Sequence, residues 1–381
     1  MKVLIASDAF KDGLSAPAVC EAVARGLKQG QAGIEPLVFP LGDGGEGTSD
    51  VLTYHSGGRM VSLTVNDPLY RTVEASYGLS GDGKTAYIEM AAASGLQLLK
   101  PEERDPLKTS TYGTGELMRH ALEQGAQRIV LCIGGSATND AGMGMAAALG
   151  YRFLDESGEL LHAKGEHLGT VAHIDKSHMS FDLGQVEFIT LCDVDNPLYG
   201  PNGAARVFAR QKGADDAAVE LLEEGLRSFG EKLEGLCSEP VVEVPGAGAA
   251  GGLGAGSMAF LGAHLQSGIE TVMQLSGFTD ALRTADVVIT GEGQLDAQTK
   301  GGKLVKGVAG AARSEGLPVI ALCGSLLAGV AELDEIGLDA AFSIQNRPVA
   351  LQQALSETAE RLEATAAMVA RLLAVGMPKV V

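Results

Sequence analysis

The chain has 381 residues and a formal charge of −19, from 48 Asp and Glu against 29 Lys and Arg. That length suits two domains of ordinary size, and that charge repels nucleic acid and anionic membrane surfaces, so an anionic ligand needs a local cationic pocket. Five widely spaced cysteines (Cys20, Cys132, Cys192, Cys237, Cys323), odd in number and without a CxxC pair, argue against a disulfide framework or a zinc knuckle.

From the N-terminus, the apolar run in Met1 to Phe10 is too short for a signal peptide. It reads as a buried strand, Val3 to Ala6, trailed by Ser7, Asp8 and Lys11. An amphipathic helix is expected over 16–29 and a second strand at Leu37 to Phe39, trailed by Asp43, Glu46 and their glycines. Between Arg59 and Met90 the pattern changes to short alternating segments, 61–65, 73–77 and 85–89, which read as antiparallel strands. Gly78 to Thr85 fits the P-loop expression letter for letter. A P-loop leads from a strand into a helix, whereas Ala86 to Met90 alternates as a strand, so Gly81-Asp82-Gly83 reads as a hairpin turn.

A helix running to Gln124 opens with Thr111 to Glu116, which read either as an anion site at its start or, at Thr114, as just an N-cap. The strand Ile129 to Leu131 runs into Gly134, Gly135, Ser136, Asn139 and Asp140, with a helix over 142–150 beyond, and Asp140 reads as an alternative helix cap. The strand Phe188 to Leu191 runs into Asp193, Asp195 and Asn196. Val241 to Val244 reads as a strand entering Gly246-Ala-Gly248-Ala-Ala-Gly251, the dinucleotide pattern. A Rossmann site also needs an acidic residue about twenty positions on, at a second strand's end. Glu270 has the spacing but lies in the helix-like run Ile269 to Leu275, so the loop with Gly251 and Gly252 reads as a phosphate or substrate cradle. Val244 to Gly268 carries no Asp, Glu, Lys or Arg and is long enough to span a bilayer. Its glycines and Pro245 make a poor helix in the first half, and the reading is a strand, a Gly-rich loop and a short helix. Further strands are expected at 287–289, trailed by Thr290, Glu292 and Asp296, and at 319–322, trailed by Cys323-Gly-Ser325, with a helix over 302–314 between them. A long helix closes the chain over 350–374.

This alternation gives an α/β class. Residues 1–60 and 270–381 form one doubly wound, flavodoxin/Rossmann-like domain with a parallel sheet built from both chain ends, and 61–269 form an inserted mixed α/β domain. Ligands of open α/β sheets bind beyond the carboxyl ends of the strands, where the polar loops above gather. Glycines there let backbone amides approach phosphate oxygens, and carboxylates beside such donors suit Mg²⁺.

Ser7-Asp-Ala-Phe10-Lys11, Asp43-Gly-Gly-Glu-Gly47, Gly134-Gly-Ser-Ala-Thr-Asn-Asp140, Cys192-Asp-Val-Asp-Asn-Pro197, Gly246 to Gly254 and Thr290-Gly-Glu-Gly293 occur in order, and the chain resembles the type-1 glycerate kinase family. The resemblance implies two domains, one flavodoxin-like, and ATP- and Mg²⁺-dependent phosphorylation of D-glycerate to 2-phosphoglycerate. It carries no role onto single residues, so these follow from the chemistry of phosphoryl transfer. Asp193 is the expected base and Lys11 the cation on the transferring phosphate. Asp195 and Asp296 are the expected metal contacts, with Glu292 able to exchange roles with Asp296. Ser7, Asp8, Asp43, Glu46, Gly134, Gly135, Ser136, Asn139, Gly251 and Gly252 are expected to bind substrate or phosphate. Arg206, Arg210, Lys212, Lys300 and Arg347 are the unranked cations for the substrate carboxylate. A cytoplasmic location is expected, without nucleic acid or membrane partners. A Mg²⁺-dependent phosphohydrolase and a non-catalytic sugar-acid or nucleotide-binding protein are the alternatives.

Overall fold

The computed structural model describes residues 1–11, 13–296 and 303–375. The chain opens with β1 (Lys2–Ile5), α1 (Ala16–Gly30) and β2 (Glu35–Val38). Then come α2 (Thr48–His55), β3 (Arg59–Asn66), β4 (Thr72–Leu79), β5 (Thr85–Glu89), α3 (Ala91–Ser94), α4 (Tyr112–Glu123) and β6 (Arg128–Cys132). These are followed by α5 (Met143–Ala148), β7 (Arg152–Leu154), β8 (His173–Asp175), β9 (Glu187–Leu191), α6 (Ala204–Phe208), α7 (Asp216–Glu234), α8 (Ala249–Leu261) and β10 (His264–Gln266). The last stretch holds α9 (Gly268–Ser276), α10 (Phe278–Leu282), β11 (Val287–Leu295), α11 (Lys303–Ser314), β12 (Val319–Leu326), α12 (Val330–Ile336), β13 (Ala340–Ser343), α13 (Leu351–Ser356) and α14 (Thr358–Val375).

Two compact units result: Met1–Asp43 with the chain from Ile269 onward, and Gly44–Gly268. Helix α2 clusters with the second unit, which puts the first boundary after Asp43 and not near residue 60. Gly78 in β4 lacks the side chain that would collide with Thr53 of α2, so the helix lies directly on that strand.

In the first unit the strand order is β13-β12-β11-β1-β2, every pair parallel. Renumbered within the unit this is the flavodoxin order 2-1-3-4-5. The strands are short apolar runs because a covered parallel sheet buries both faces; Val3, Leu4, Ile5, Val288 and Val319 are all at most 1% exposed or fully buried. Val3, Ile5, Ile289 and Leu322 pack with Val19, Val23 and Leu27 of α1 and Leu362, Ala366 and Val369 of α14.

Strand β11 continues through the polar stretch expected to be a loop. Gln294 and Leu295 still pair with Ser325 and Leu326 of β12. Glycine permits this, since a Cβ at Gly291 would meet the Leu322 carbonyl oxygen and one at Gly324 that of Gly293. The long C-terminal helix is interrupted as well. At Glu357 the backbone leaves the helical region (φ −98°, ψ 8°), and α13 and α14 form in place of one helix. The Glu357 carboxylate accepts from Gln353 Nε2 at 2.7 Å and Arg361 Nε at 3.1 Å, holding the corner.

Gly26 and Gly30 bring α1 against α14, because a Cβ there would lie within 2.1 Å of the Glu363 carbonyl oxygen or 2.2 Å of that of Ala367. Gly26→Ala is therefore expected to force the two helices apart and destabilise the protein by about 1–3 kcal/mol, measured as a lowered urea midpoint. An unchanged midpoint would show that the helices can separate without loss.

The second unit has a six-stranded sheet, β10-β9-β6-β5-β4-β3, and a small β7-β8 pair. β3, β4 and β5 run antiparallel in sequence, whereas β5, β6, β9 and β10 are parallel. The P-loop look-alike is the β4–β5 hairpin: Gly83 takes φ +72°, and Asp82 Oδ1 accepts from Ser80 Oγ at 2.6 Å and from the Lys84 N–H at 3.0 Å. Val241 to Val244 is not a strand. Val241 and Val242 are buried, and their N–H groups donate to Glu234 Oε1 at 3.1 and 3.0 Å instead of to a sheet. Among the described residues no helix is long and apolar enough to cross a membrane.

Candidate active site

In a 2-1-3-4-5 sheet the ligand crevice opens at the switch point where strand order reverses, here between β1 and β11. Ser7 and Asp8 leave β1 there, beside Gly291 and Glu292, which lie inside β11 where it outruns β1. Ser7 is buried, and its Oγ donates to the Gly291 carbonyl at 2.9 Å, tying the end of β1 to β11. The Asp8 N–H donates to the same carbonyl at 3.2 Å, and Asp8 Oδ1 accepts from the Ala9 N–H at 2.7 Å.

Burial, and then the charges of Asp43 and Glu292, push the Asp8 carboxyl up to about 8 against the pull of the Ala9 N–H. Glu292 is half-buried, and Asp296, one residue past β11, accepts from Gln294 Nε2 at 2.6 Å. Lys11 is exposed on the loop beyond Phe10.

The Asp8 shift has a consequence for stability. Its folded value of about 8 lies above the ordinary 3.8, so between about pH 4 and pH 8 the folded state holds more protons than the unfolded one. Stability contributed by protonated Asp8 is therefore expected to be lost as pH rises through that window. Thermal unfolding in chelator should show a midpoint that declines from pH 5 to pH 8, and Asp8→Asn should flatten the decline. An equally steep decline in Asp8→Asn would assign it to another group.

In the second unit Glu89, Cys132, Leu191 and Gln266 stand in register at the carboxyl ends of the parallel strands. Beyond them lie Gly134 to Asp140, Asp193 and Gly268. Asp193 is half-buried, and its Oδ1 accepts from the Gly268 N–H at 2.9 Å. Asp195 and Glu46 are exposed. Gly44 N–H donates to Thr48 Oγ1 at 3.1 Å, and Gly47 takes φ +86° to enter α2.

Sequence reasoning missed Glu89. Its Oε1 accepts from the Ser49 N–H at 2.8 Å, so this carboxylate occupies the N-terminus of α2 and fixes the Gly44–Gly47 loop. Burial raises it, opposed by the Ser49 and Gly47 N–H groups.

The anion expected at the start of α4 is also already present as a side chain. Asp140, fully buried, accepts at Oδ2 from the Thr111 N–H (2.7 Å), Thr111 Oγ1 (2.9 Å) and the Gly144 N–H (3.1 Å), and at Oδ1 from the Gly142 N–H (3.3 Å). Thr114 is no N-cap: it sits inside α4 with its Oγ1 2.8 Å from Ser94 Oγ. Gly134 and Gly135 are exposed at the tip of the loop, whereas Ser136 and Asn139 are buried. Gly251 (φ +70°) and Gly252 (φ +90°) are buried in α8, and a Cβ at Gly251 would stand 2.1 Å from the Thr138 carbonyl oxygen. The close approach that demands glycine at 251 is thus to the protein's own 138–139 backbone.

Among the described residues no group of three or more His, Cys, Asp or Glu is arranged to hold a metal ion alone. Mg²⁺ takes one or two carboxylates and completes its shell with phosphate oxygens and water, and Glu292 and Asp296 are the carboxylates at the end of β11.

A family model described as the glycerate kinase family matches residues 3–374. A Bacillus cereus protein named glycerate kinase is 45% identical over 379 residues, covering 100% of both chains. An Escherichia coli protein named glycerate 2-kinase is 43% identical over 377 residues, covering 99% of each. A crystal structure described as glycerate kinase 2 from Salmonella typhimurium superposes with a TM-score of 0.90 at 44% identity, covering 99% of each chain.

Proposed function

The chain belongs to the glycerate kinase family, and from that premise we propose that it transfers the γ-phosphoryl group of ATP to the 2-hydroxyl of D-glycerate, giving 2-phosphoglycerate and ADP. The full-length match to relatives named glycerate kinase carries this reading. The choice of the 2-hydroxyl is supported by the name of the Escherichia coli relative.

Phosphoryl transfer asks a protein to position reactants and neutralise charge. Asp193 is the proposed base, taking the hydroxyl proton as the new O–P bond forms and the bond to the ADP oxygen breaks. Lys11 is the proposed cation on the transferring phosphoryl group. Glycine amides at Gly134 and Gly135, with the Ser136 hydroxyl, are the proposed donors to substrate and phosphate oxygens; the Ser7 hydroxyl is committed to the Gly291 carbonyl and Asn139 is fully buried, so these two are withdrawn from that role. Glu292 and Asp296 are the carboxylates proposed to hold Mg²⁺, and exposed Asp195 is the remaining candidate. The ion, when bound, neutralises phosphate charge.

The test is a product assay with ATP, Mg²⁺ and a panel of small hydroxy acids. ADP released only with D-glycerate supports the kinase. ADP and phosphate released without an acceptor would indicate a hydrolase, and no turnover a binding protein. Proton-coupled phosphorus NMR then distinguishes the isomers, because a 2-phosphate couples to one carbon-bound proton and a 3-phosphate to two.

A further inference from the structure

Behind the Gly134–Asp140 loop lies a buried ammonium group on which the charge of Asp140 acts. Lys212 ends a short 3-10 turn, Arg210–Lys212, and is 2% exposed. Its Nζ donates to Ser136 Oγ and to the Thr138 carbonyl, both at 2.7 Å. An ammonium has three donors, and these contacts use two. On the same loop Asn139 Oδ1, Asn139 Nδ2 and Thr138 Oγ1 are buried without hydrogen-bond partners. Buried polar groups are nearly always satisfied, and a buried lysine is nearly always paired.

Two of the other candidate cations are committed to carboxylates. Arg206 forks onto Glu220 with two contacts of 2.9 Å, and Arg210 meets Asp216 at 2.5 Å. Arg347 is exposed, and Lys300 lies outside the described residues.

We propose that Lys212 is a positioning residue that holds positive charge behind Ser136 to Asn139 for an oxyanion, the substrate carboxylate or a nucleotide phosphate, bound at the Gly134–Gly135 tip. This rests on the reading of that loop as part of the active site. Nζ is hidden from solvent, so the ligand meets the loop and senses the ammonium through it. The charge that reaches Lys212 is that of Asp140, whose own carboxylate is taken up by Thr111, Gly142 and Gly144. Arg206 and Arg210, on the adjoining α6 and the same turn, face Glu220 and Asp216. Burial pulls the ammonium down to about 7, with Asp140 opposing. Near neutrality the empty loop therefore holds a partly deprotonated amine, and an arriving anion draws the proton back.

Calorimetric titration of the full chain at pH 7, in chelator and in PIPES and imidazole buffers, measures that proton. Uptake of roughly half a proton per bound ligand is expected, with D-glycerate if the partner is the carboxylate and with ATP if it is a phosphate. Lys212→Met should abolish the uptake and raise KM for the same ligand roughly tenfold or more, with a smaller effect on kcat. Lys212→Gln, which keeps a hydrogen-bonding end without charge, should behave as the Met variant does. Wild-type binding of both ligands without proton uptake overturns the proposal, even if neither variant folds. If Gly134→Val impairs turnover while both Lys212 variants keep wild-type KM, the loop reading stands and the role of Lys212 falls. If none of the three alters kinetics, the loop reading falls too.

Discussion

Asp193→Asn is expected to lower kcat by roughly 10²–10⁴-fold, the usual worth of a positioned general base, while KM for ATP stays within about threefold. The amide is nearly isosteric and its Oδ1 can still accept from the Gly268 N–H, so the local backbone should hold. What the change removes is the proton acceptor. Steady-state kinetics with both substrates, alongside a thermal melt, separates these effects. Near-normal turnover in a folded variant would take Asp193 out of the base role.

Asp140→Ala should have the largest effect on stability. Its carboxylate collects three backbone N–H groups and the Thr111 hydroxyl, and Thr111 Oγ1 in turn accepts from the Met145 N–H at 2.8 Å. The starts of α4 and α5 thus share one buried anion. Without it several N–H groups are left unsatisfied away from water, each worth about 1–3 kcal/mol, and a total loss of about 3–5 kcal/mol is expected. Asp140→Asn keeps acceptors for part of the set and should lie between Ala and the wild type. Urea unfolding of the ligand-free protein measures both; a loss under about 1 kcal/mol for Ala would mean that water accepts from these N–H groups in its place.

The strands of the first unit were legible because Val3 to Ile5, Val287 to Ile289 and Val319 to Leu322 are apolar on both faces, as a covered parallel sheet requires. The continuation of β11 through Gly291 to Leu295 was not, since glycine, Glu and Gln have low strand preference and only the tertiary pairing with β12 holds them extended. The corner at Glu357 was hidden for the opposite reason: Glu, Leu and Ala all favour helix, and the break depends on where Arg361 and Gln353 reach.

The carboxylates at strand ends were visible as residues, but their partners were not. Nothing in its neighbours marks Lys212 as buried, because lysine is usually exposed. Glu89 looked like the end of an ordinary strand. The dinucleotide-like glycines pointed to phosphate, although the atoms crowding Gly251 belong to Thr138 and Asn139. A glycine-rich string records that something comes close, and the fold decides what.

The strand order of the first unit also sets an order of events during synthesis. β1 and β2 are made first, yet β1 completes its pairing only with β11, beginning at Val287. At typical rates of roughly 5–20 residues per second the ribosome needs roughly 15 s to 1 min to reach it. The second unit, one continuous stretch ending at Gly268, can finish folding within that interval. Meanwhile the nascent β1 edge, with Val3, Leu4 and Ile5, has no partner strand on one side, the situation in which unpaired apolar strands invite aggregation.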